Sequence, residues 1–416
     1  MSFRSFFVTC LLISAVASHL AQAQNYKFKV LHTFHGKDGN EPDAQLLRDQ
    51  AGNMYGTTGE GGANQCGNIG CGTAFEMNKD GKILWSHSFN GQDGETPFPG
   101  LLRDASGNLY GTTIYGGTVN HACGSSGCGL VFKLNKAGRE TVLHKFNGID
   151  GITPVGPLVE DGRGILYGAT QFGSNGGTVF GLNAAGKETI LYSFGCGSDG
   201  CDPGAGVILD EAGNIYGTTF DGGDMNCNPG QGCGVVFQLS PRADGTWRET
   251  VLHTFEGTDG WGPTAPLLLD SAGNLYGTTE NGGNLSCAGG TGCGVVFELS
   301  PSSNGTWTET VLYAFCSKSD CTDGNLPGAG SLVRDPSGNL YGTTIRGGHT
   351  GCGQESCGVV YKLDASGNET ILYNFASGAD GYDPLVGVTR DTKGNLYGTA
   401  LFGGAHSDGT TFEITP

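Results

Sequence analysis

Charge is in short supply in this chain. Asp, Glu, Lys and Arg make up 15% of its 416 residues, and 22 bases face 40 acids, for a formal net charge of −18. A surface with that balance repels phosphate backbones and anionic headgroups, so nucleic acid is not an expected partner. Long apolar runs are missing too. Past the N-terminal segment nothing approaches the roughly 20 apolar residues of a membrane-spanning helix, and no segment keeps the apolar period of a long amphipathic helix. The sequence also lacks His-Glu-x-x-His, Gly-x-Ser-x-Gly and any Gly-Lys-Ser/Thr phosphate loop, so no catalytic centre is nominated by motif.

Glycine is abundant instead, with 77 residues where an average chain of this size carries less than half as many. Hydrophobic residues still reach 37%, with 9% aromatics, which is enough for a core and argues against collagen and disorder. At the N-terminus, Arg4 precedes an apolar run from Phe6 to Ala17 and then Ala21-Gln22-Ala23. That layout reads as a secretory signal over residues 1–23, cleaved before Gln24. Cys10 lies inside the run, and setting it aside leaves fourteen of the 15 cysteines in an exported chain, where disulfides persist. The expected product is a secreted monomer, periplasmic or extracellular, with residues 24–416 forming one domain.

Internal repetition organises that domain. Asp-x-x-Gly-Asn-Leu-Tyr-Gly-Thr-Thr and its variants recur seven times, with tyrosines at Tyr55, Tyr110, Tyr167, Tyr216, Tyr276, Tyr341 and Tyr397. A second element, clearest as Gly-Val-Val-Phe-x-Leu, places aromatics at Phe75, Phe132, Phe180, Phe237, Phe297, Tyr361 and Phe412. A third, of the form Glu-Thr-Val-Leu-His-x-Phe, ends at Phe34, Phe89, Phe146, Phe194, Phe255, Phe315 and Phe375. Each period thus holds four β-branched and aromatic runs separated by Gly, Asn and Asp turns, the pattern of four antiparallel strands. In the fifth these are expected at Pro266–Leu269, Asn274–Thr279, Gly294–Leu299 and Glu309–Phe315. The fold class that follows is all-β, a seven-bladed β-propeller. Because the third series begins and ends before the others, an N-terminal strand at Lys27–Phe34 is expected to complete the last blade and remove its open edge.

The repeated Gly-Asn-Leu-Tyr-Gly-Thr-Thr followed by Gly-Gly, as in Gly107–Gly117 and Gly338–Gly348, resembles the GloVer tandem repeat of bacterial exported "choice-of-anchor" proteins. The likeness covers nearly the whole mature chain. The Asp-x-x-Gly-Asn-Leu-Tyr core is also similar to NHL and gluconolactonase-like propeller repeats. These resemblances imply a fold rather than a reaction.

On such a fold all fourteen cysteines share one face, as seven local pairs: Cys66/Cys71, Cys123/Cys128, Cys196/Cys201, Cys227/Cys233, Cys287/Cys293, Cys316/Cys321 and Cys352/Cys357. Half-sites spread around a ring do not make zinc centres, so disulfides that stiffen loops are expected. No metal or other cofactor is expected, calcium being the ion that the recurrent Asp-Gly loops would suit. Blades three and seven break the pattern with short cysteine-free loops at Gly173–Gly177 and Gly403–Gly409, which would open a groove across the face.

Positions that vary from repeat to repeat on this face are the candidate ligand contacts: Tyr115, Phe172, Asn281, Arg346 and Phe402 after Thr-Thr, with Trp261 and Tyr382 between blades. Rings beside polar groups suit an extracellular polysaccharide, or a protein. The catalytic alternative is a polysaccharide lyase or glycoside hydrolase using Glu60, Asp221 or Glu280 with Arg346 and a loop histidine, His121, His349 or His406. A structural or adhesive surface protein is the third reading.

Overall fold

The computed structural model describes residues 26–98, 100–173, 175–348 and 357–416, and the expected signal segment lies outside them. Seven antiparallel sheets follow one another along the chain, with no α-helix among the described residues. Blade one, for example, is Leu47–Arg48, Met54–Thr58, Thr73–Met77 and Ile83–Ser88, and blade five is Leu268–Leu269, Leu275–Thr279, Val295–Pro301 and Trp307–Ala314. The last two strands of blade five pair as far as Pro301 and Trp307, and those of blade four as far as Pro241 and Trp247, a longer hairpin than the repeat pattern gives.

The second strand, Met-Tyr-Gly-Thr-Thr in blade one, is buried along its whole length, which is why it reads as small and apolar residues without alternation. Its glycine has a steric purpose. A Cβ on Gly56, Gly111, Gly168, Gly217, Gly277 or Gly398 would stand 2.5–2.8 Å from the tip of the aromatic ring on the adjacent third strand, as it would on Gly342 beside Tyr361. Each of those rings meets the aromatic that ends the preceding blade's fourth strand: Phe34–Phe75, Phe89–Phe132, Phe146–Phe180, Phe194–Phe237, Phe255–Phe297, Phe315–Tyr361 and Phe375–Phe412, at 5.0–5.4 Å between centroids. All fourteen side chains are buried.

The repeat tyrosine seals the next junction outward. Arg103 lies over Tyr55, Arg334 over Tyr276, Arg390 over Tyr341 and Arg48 over Tyr397, at 4.9–5.6 Å. Of the three tyrosines whose following blade lacks that arginine, Tyr167 is covered by Trp247 and Tyr216 by Trp307, at 6.3 and 6.4 Å, and Tyr110 by Lys133 of its own blade at 5.3 Å. The aspartate that opens each Asp-x-x-Gly-Asn turn has a structural role. In blade four, Asp210 Oδ1 accepts the Asn214 N–H at 2.8 Å and Oδ2 accepts the Tyr216 hydroxyl at 3.0 Å, and the same pair of bonds recurs from Asp49 to Asp391.

The innermost strands surround a narrow axial cavity of about 310 Å³. Gln45 is among the residues that line it: its amide donates to the Ser331 and Val388 carbonyls at 3.2 and 2.8 Å and accepts the Ser331 N–H at 3.0 Å, tying blade one to blades six and seven.

The expected closure is present. Lys27–Thr33 pairs antiparallel with Thr410–Thr415 and supplies the outer strand of blade seven, Phe28 stacks on Tyr373 at 3.8 Å, and Phe34 is fully buried. Deleting the chain through Phe34 removes two packed rings and exposes a strand edge, so a loss of at least about 3 kcal/mol and self-association are expected. Thermal melting with light scattering checks this, and an unchanged melting point in a monomeric truncation would contradict it.

Candidate binding face

Antiparallel order places the loops between second and third strands, and those between blades, at one end of the molecule. The repeated Gly-Gly knits them together: Gly62 N–H bonds the Gly36 carbonyl, Gly117 that of Gly91, Gly223 that of Gly197, Gly283 that of Gly257 and Gly404 that of Gly378, at 2.8–3.0 Å. Six disulfides staple this end in the expected pairing: Cys66–Cys71, Cys123–Cys128, Cys196–Cys201, Cys227–Cys233, Cys287–Cys293 and Cys316–Cys321. The seventh expected pair differs from these, because Cys352 lies outside the described residues and the Cys352/Cys357 pairing therefore stays an expectation. Cys357 itself is described: it is fully buried just before the third strand of blade six, Val359–Leu363, packs in the core between blades six and seven, and is disulfide-bonded. In blade three, which has no loop cysteine, both sulfurs of Cys196–Cys201 crowd the position that a Cβ on Gly176 would take, so the inter-blade bridge fills the place of the missing loop bridge.

The variable positions are set by a local device. The second threonine of Thr-Thr, buried in its blade, donates its hydroxyl to the carbonyl two residues on, which is that of Glu60, Tyr115, Phe172, Asp221, Asn281 or Arg346, at 2.7–3.0 Å. Blade seven has Ala400 at that position and lacks the bond. Each of these residues pairs across the strand with one from the incoming inter-blade segment, including Trp261 with Asn281 and Tyr382 with Phe402. Tyr115 and Phe172 are 41% and 42% exposed. Phe402 is half-buried with its ring 5.4 Å from that of Tyr382, and Trp261 is half-buried against the core between blades four and five.

The carboxylates do not assemble as one set. Glu60 shares blade one with Glu41 and the buried Asp43, Asp221 lies near Asp202, and Glu280 lies near Arg346 of the next blade. Burial raises the Asp43 carboxyl well above the ordinary range, and the charges of Glu41 and Glu60 add to the effect. Burial also raises Asp221, helped by Asp202, while the rise at Glu280 is opposed by Arg346. Sequence reasoning missed Glu41, Asp43 and Asp202 because they flank the prolines of turn-like segments. Glu41 and Asp202 stand at positive φ (57° and 56°) immediately before those prolines, a conformation repeated in all seven blades. His121 and His406 are exposed, with the His406 ring 6.1 Å from that of His35, and His349 lies outside the described residues.

The Asp-Gly aspartates of the calcium expectation are engaged elsewhere. Asp38, Asp150 and Asp259 bond His32, His144 and His253 at 2.9–3.1 Å, and Asp199, Asp323 and Asp380 accept hydroxyls of Tyr192, Tyr313 and Tyr373 at 2.8–3.1 Å. Among the described residues, the groups of three converging metal-ligand atoms are built on disulfide sulfurs.

A model of the Gloeobacter/Verrucomicrobia repeat matches residues 20–231 and 228–416. The chain belongs to that family. Among solved structures, this Gloeobacter/Verrucomicrobia repeat propeller is similar to an extracellular domain assigned to the hybrid two-component system BT3049 of B. thetaiotaomicron, with a TM-score of 0.52 and 14% identity over 94% of this chain and 41% of that one. The chain thus spans about two fifths of that structure's length. It is also similar to the gluconolactonase XC5397 of Xanthomonas campestris, with a TM-score of 0.42 and 14% identity over 75% of this chain and 82% of that one. Such identities speak to fold alone. No curated protein matches the sequence. Among the described residues no helix is long and apolar enough to cross a membrane.

The propeller carries a built-in pH response. Burial pushes Glu140, Glu188, Glu249 and Glu309 up to about 7, and the carboxylates of Asp93, Asp150, Asp199 and Asp259 add to it. Between the ordinary 4.5 and about 7 the folded protein therefore holds protons that the unfolded chain has lost, so stability falls as pH rises through that window. The turn aspartates Asp104, Asp270 and Asp335 work the other way. Desolvation would raise them, but hydrogen bonds from asparagine and tyrosine hold them below 3.8, so their contribution is lost in acid. The melting temperature should peak at about pH 4, and replacing the four glutamates with glutamine should flatten its fall toward neutrality. A maximum at or above neutral pH would contradict this.

Proposed function

We propose that this protein is an exported binding module that holds an extended extracellular glycan against its disulfide-stapled face. The observation that carries the reading is where apolar side chains meet solvent. Of the nine exposed large hydrophobics among the described residues, seven (Ile69, Tyr115, Val119, Ile149, Phe172, Met225 and Leu285) are on that face, across blades one to five. An apolar surface held on stiffened loops is how rigid scaffolds present a ligand site. The rings of Tyr115 and Phe172, on neighbouring blades at one register, offer stacking faces for sugar rings, while Glu60, Asp221 and Asn281 occupy that register elsewhere. The short loops of blades three and seven leave the rim low on nearly opposite sides, which suits a chain running across rather than an enclosed small molecule. The disulfides support an extracellular or periplasmic location.

A hydrolase or lyase is the second reading, favoured by one feature: burial, with the charges of Glu41 and Glu60, raises the Asp43 carboxyl well above the ordinary range, the direction that a general acid requires.

Retention on a panel of immobilised polysaccharides, with released reducing and unsaturated ends assayed in parallel, tests both. Phe172→Ala and Tyr115→Ala should each weaken binding of the retained polymer by about 1 kcal/mol, roughly fivefold, with melting unchanged. If neither variant changes retention, or the face captures only a protein, the glycan reading fails. Product release that is lost in Asp43→Asn would establish the enzyme instead.

A further inference from the structure

We propose a second ligand site at the opposite end of the molecule, in a notch between blades three and four, for a sugar unit carrying a single carboxylate. The notch exists because blade three departs from the repeat. At the third-strand position that faces the repeat tyrosine, the other blades carry Glu76, Lys133, Gln238, Glu298, Lys362 and Glu413, and blade three carries Gly181. Blade four shows what normally fills the space: under the same Trp-over-Tyr seal, Gln238 Nε2 donates to the Tyr216 hydroxyl at 2.9 Å. Beside Tyr167 there is instead a hollow of about 440 Å³, lined by Tyr167, Gly181, Leu191 and Trp247 and rimmed by Arg163, Lys187 and Arg242.

Neither backbone nor packing requires that glycine. Gly181 lies outside the left-handed region, and a Cβ there would meet Tyr167 and Leu191 at 3.4–3.6 Å, an ordinary contact. The omission leaves a volume in the range of small-molecule sites, walled by aromatic side chains that suit the C–H face of a sugar.

The charge at the notch selects among sugars. The hollow is lined by three cations and no carboxylate, on a chain whose acids outnumber its bases 40 to 22. Arg163 is oriented by Asp161, which accepts from its Nε and Nη2 at 2.9 and 2.7 Å. Lys187 and Arg242 are exposed. An adjoining hollow carries Glu160, Asp161, Asp210 and Glu211 and would repel a second negative charge. The ligand that fits is a uronate rather than a polysulfated or phosphorylated chain.

Sodium glucuronate, methyl glucoside and a sulfated disaccharide, titrated by calorimetry and tryptophan fluorescence, test the site. Saturable binding of glucuronate in preference to the other two is expected. Gly181→Gln, which copies blade four, should weaken it at least about tenfold without lowering the melting temperature, and Lys187→Glu/Arg242→Glu should abolish the preference for the acid. Phe172→Ala should leave it unchanged, which separates this site from the stapled face. Absence of saturable glucuronate binding, equal binding of the neutral or sulfated sugar, or full affinity in Gly181→Gln would overturn the proposal.

Discussion

Everything in this propeller depends on one steric bargain repeated seven times. A glycine in Tyr-Gly-Thr leaves room for the ring of the next strand, and that ring meets the aromatic ending the preceding blade. Each contact crosses a blade boundary, so packing within a blade and packing between blades are the same interaction. A side chain in place of Gly277 would collide with the Phe297 ring and displace it from Phe255. The circle includes Phe34 of the N-terminal strand against Phe75, so the chain has to return to its start for the set to be complete.

Because the constant positions serve the ring, the two ends are free to differ. One end has long loops, disulfides and solvent-facing apolar groups. The other has tight Asp-x-x-Gly-Asn turns, interrupted where blades four and five extend their outer hairpins to Trp247 and Trp307. Those tryptophans replace an arginine seal. Where Gln238 is present its amide reaches the Tyr216 hydroxyl under Trp307, and where Gly181 stands instead a hollow lies beside Trp247. Identical architecture thus gives a bonded glutamine at one junction and a notch one blade away.

The sequence made the ring legible because seven copies act as controls on one another: tyrosine, glycine, phenylalanine and turn aspartate recur and are structural. The six described disulfides were legible from local spacing. Strand ends in blades four and five were not, since proline at 241 and 301 reads as a break, yet it falls at the end of an outer hairpin where the ladder tolerates it. Asp43 was hidden for a different reason. Its burial comes from folding against Gly59, the residue where other blades have Ile114, Phe220 or Leu401, and that proximity is not visible along the chain. Gly181 was visible as a departure from the repeat, but among 77 glycines it carried no signal until its neighbours were in place.

The central claim is that ligand recognition at the stapled face belongs to positions that vary among the repeats. Amide hydrogen exchange on the intact protein, with and without a retained polysaccharide, tests it most directly. The account predicts slowed exchange in residues 59–72, 114–128 and 149–153 and around Phe172, with the Asp-x-x-Gly-Asn turns unchanged. Protection confined to those turns, or spread evenly over all seven blades, would contradict it.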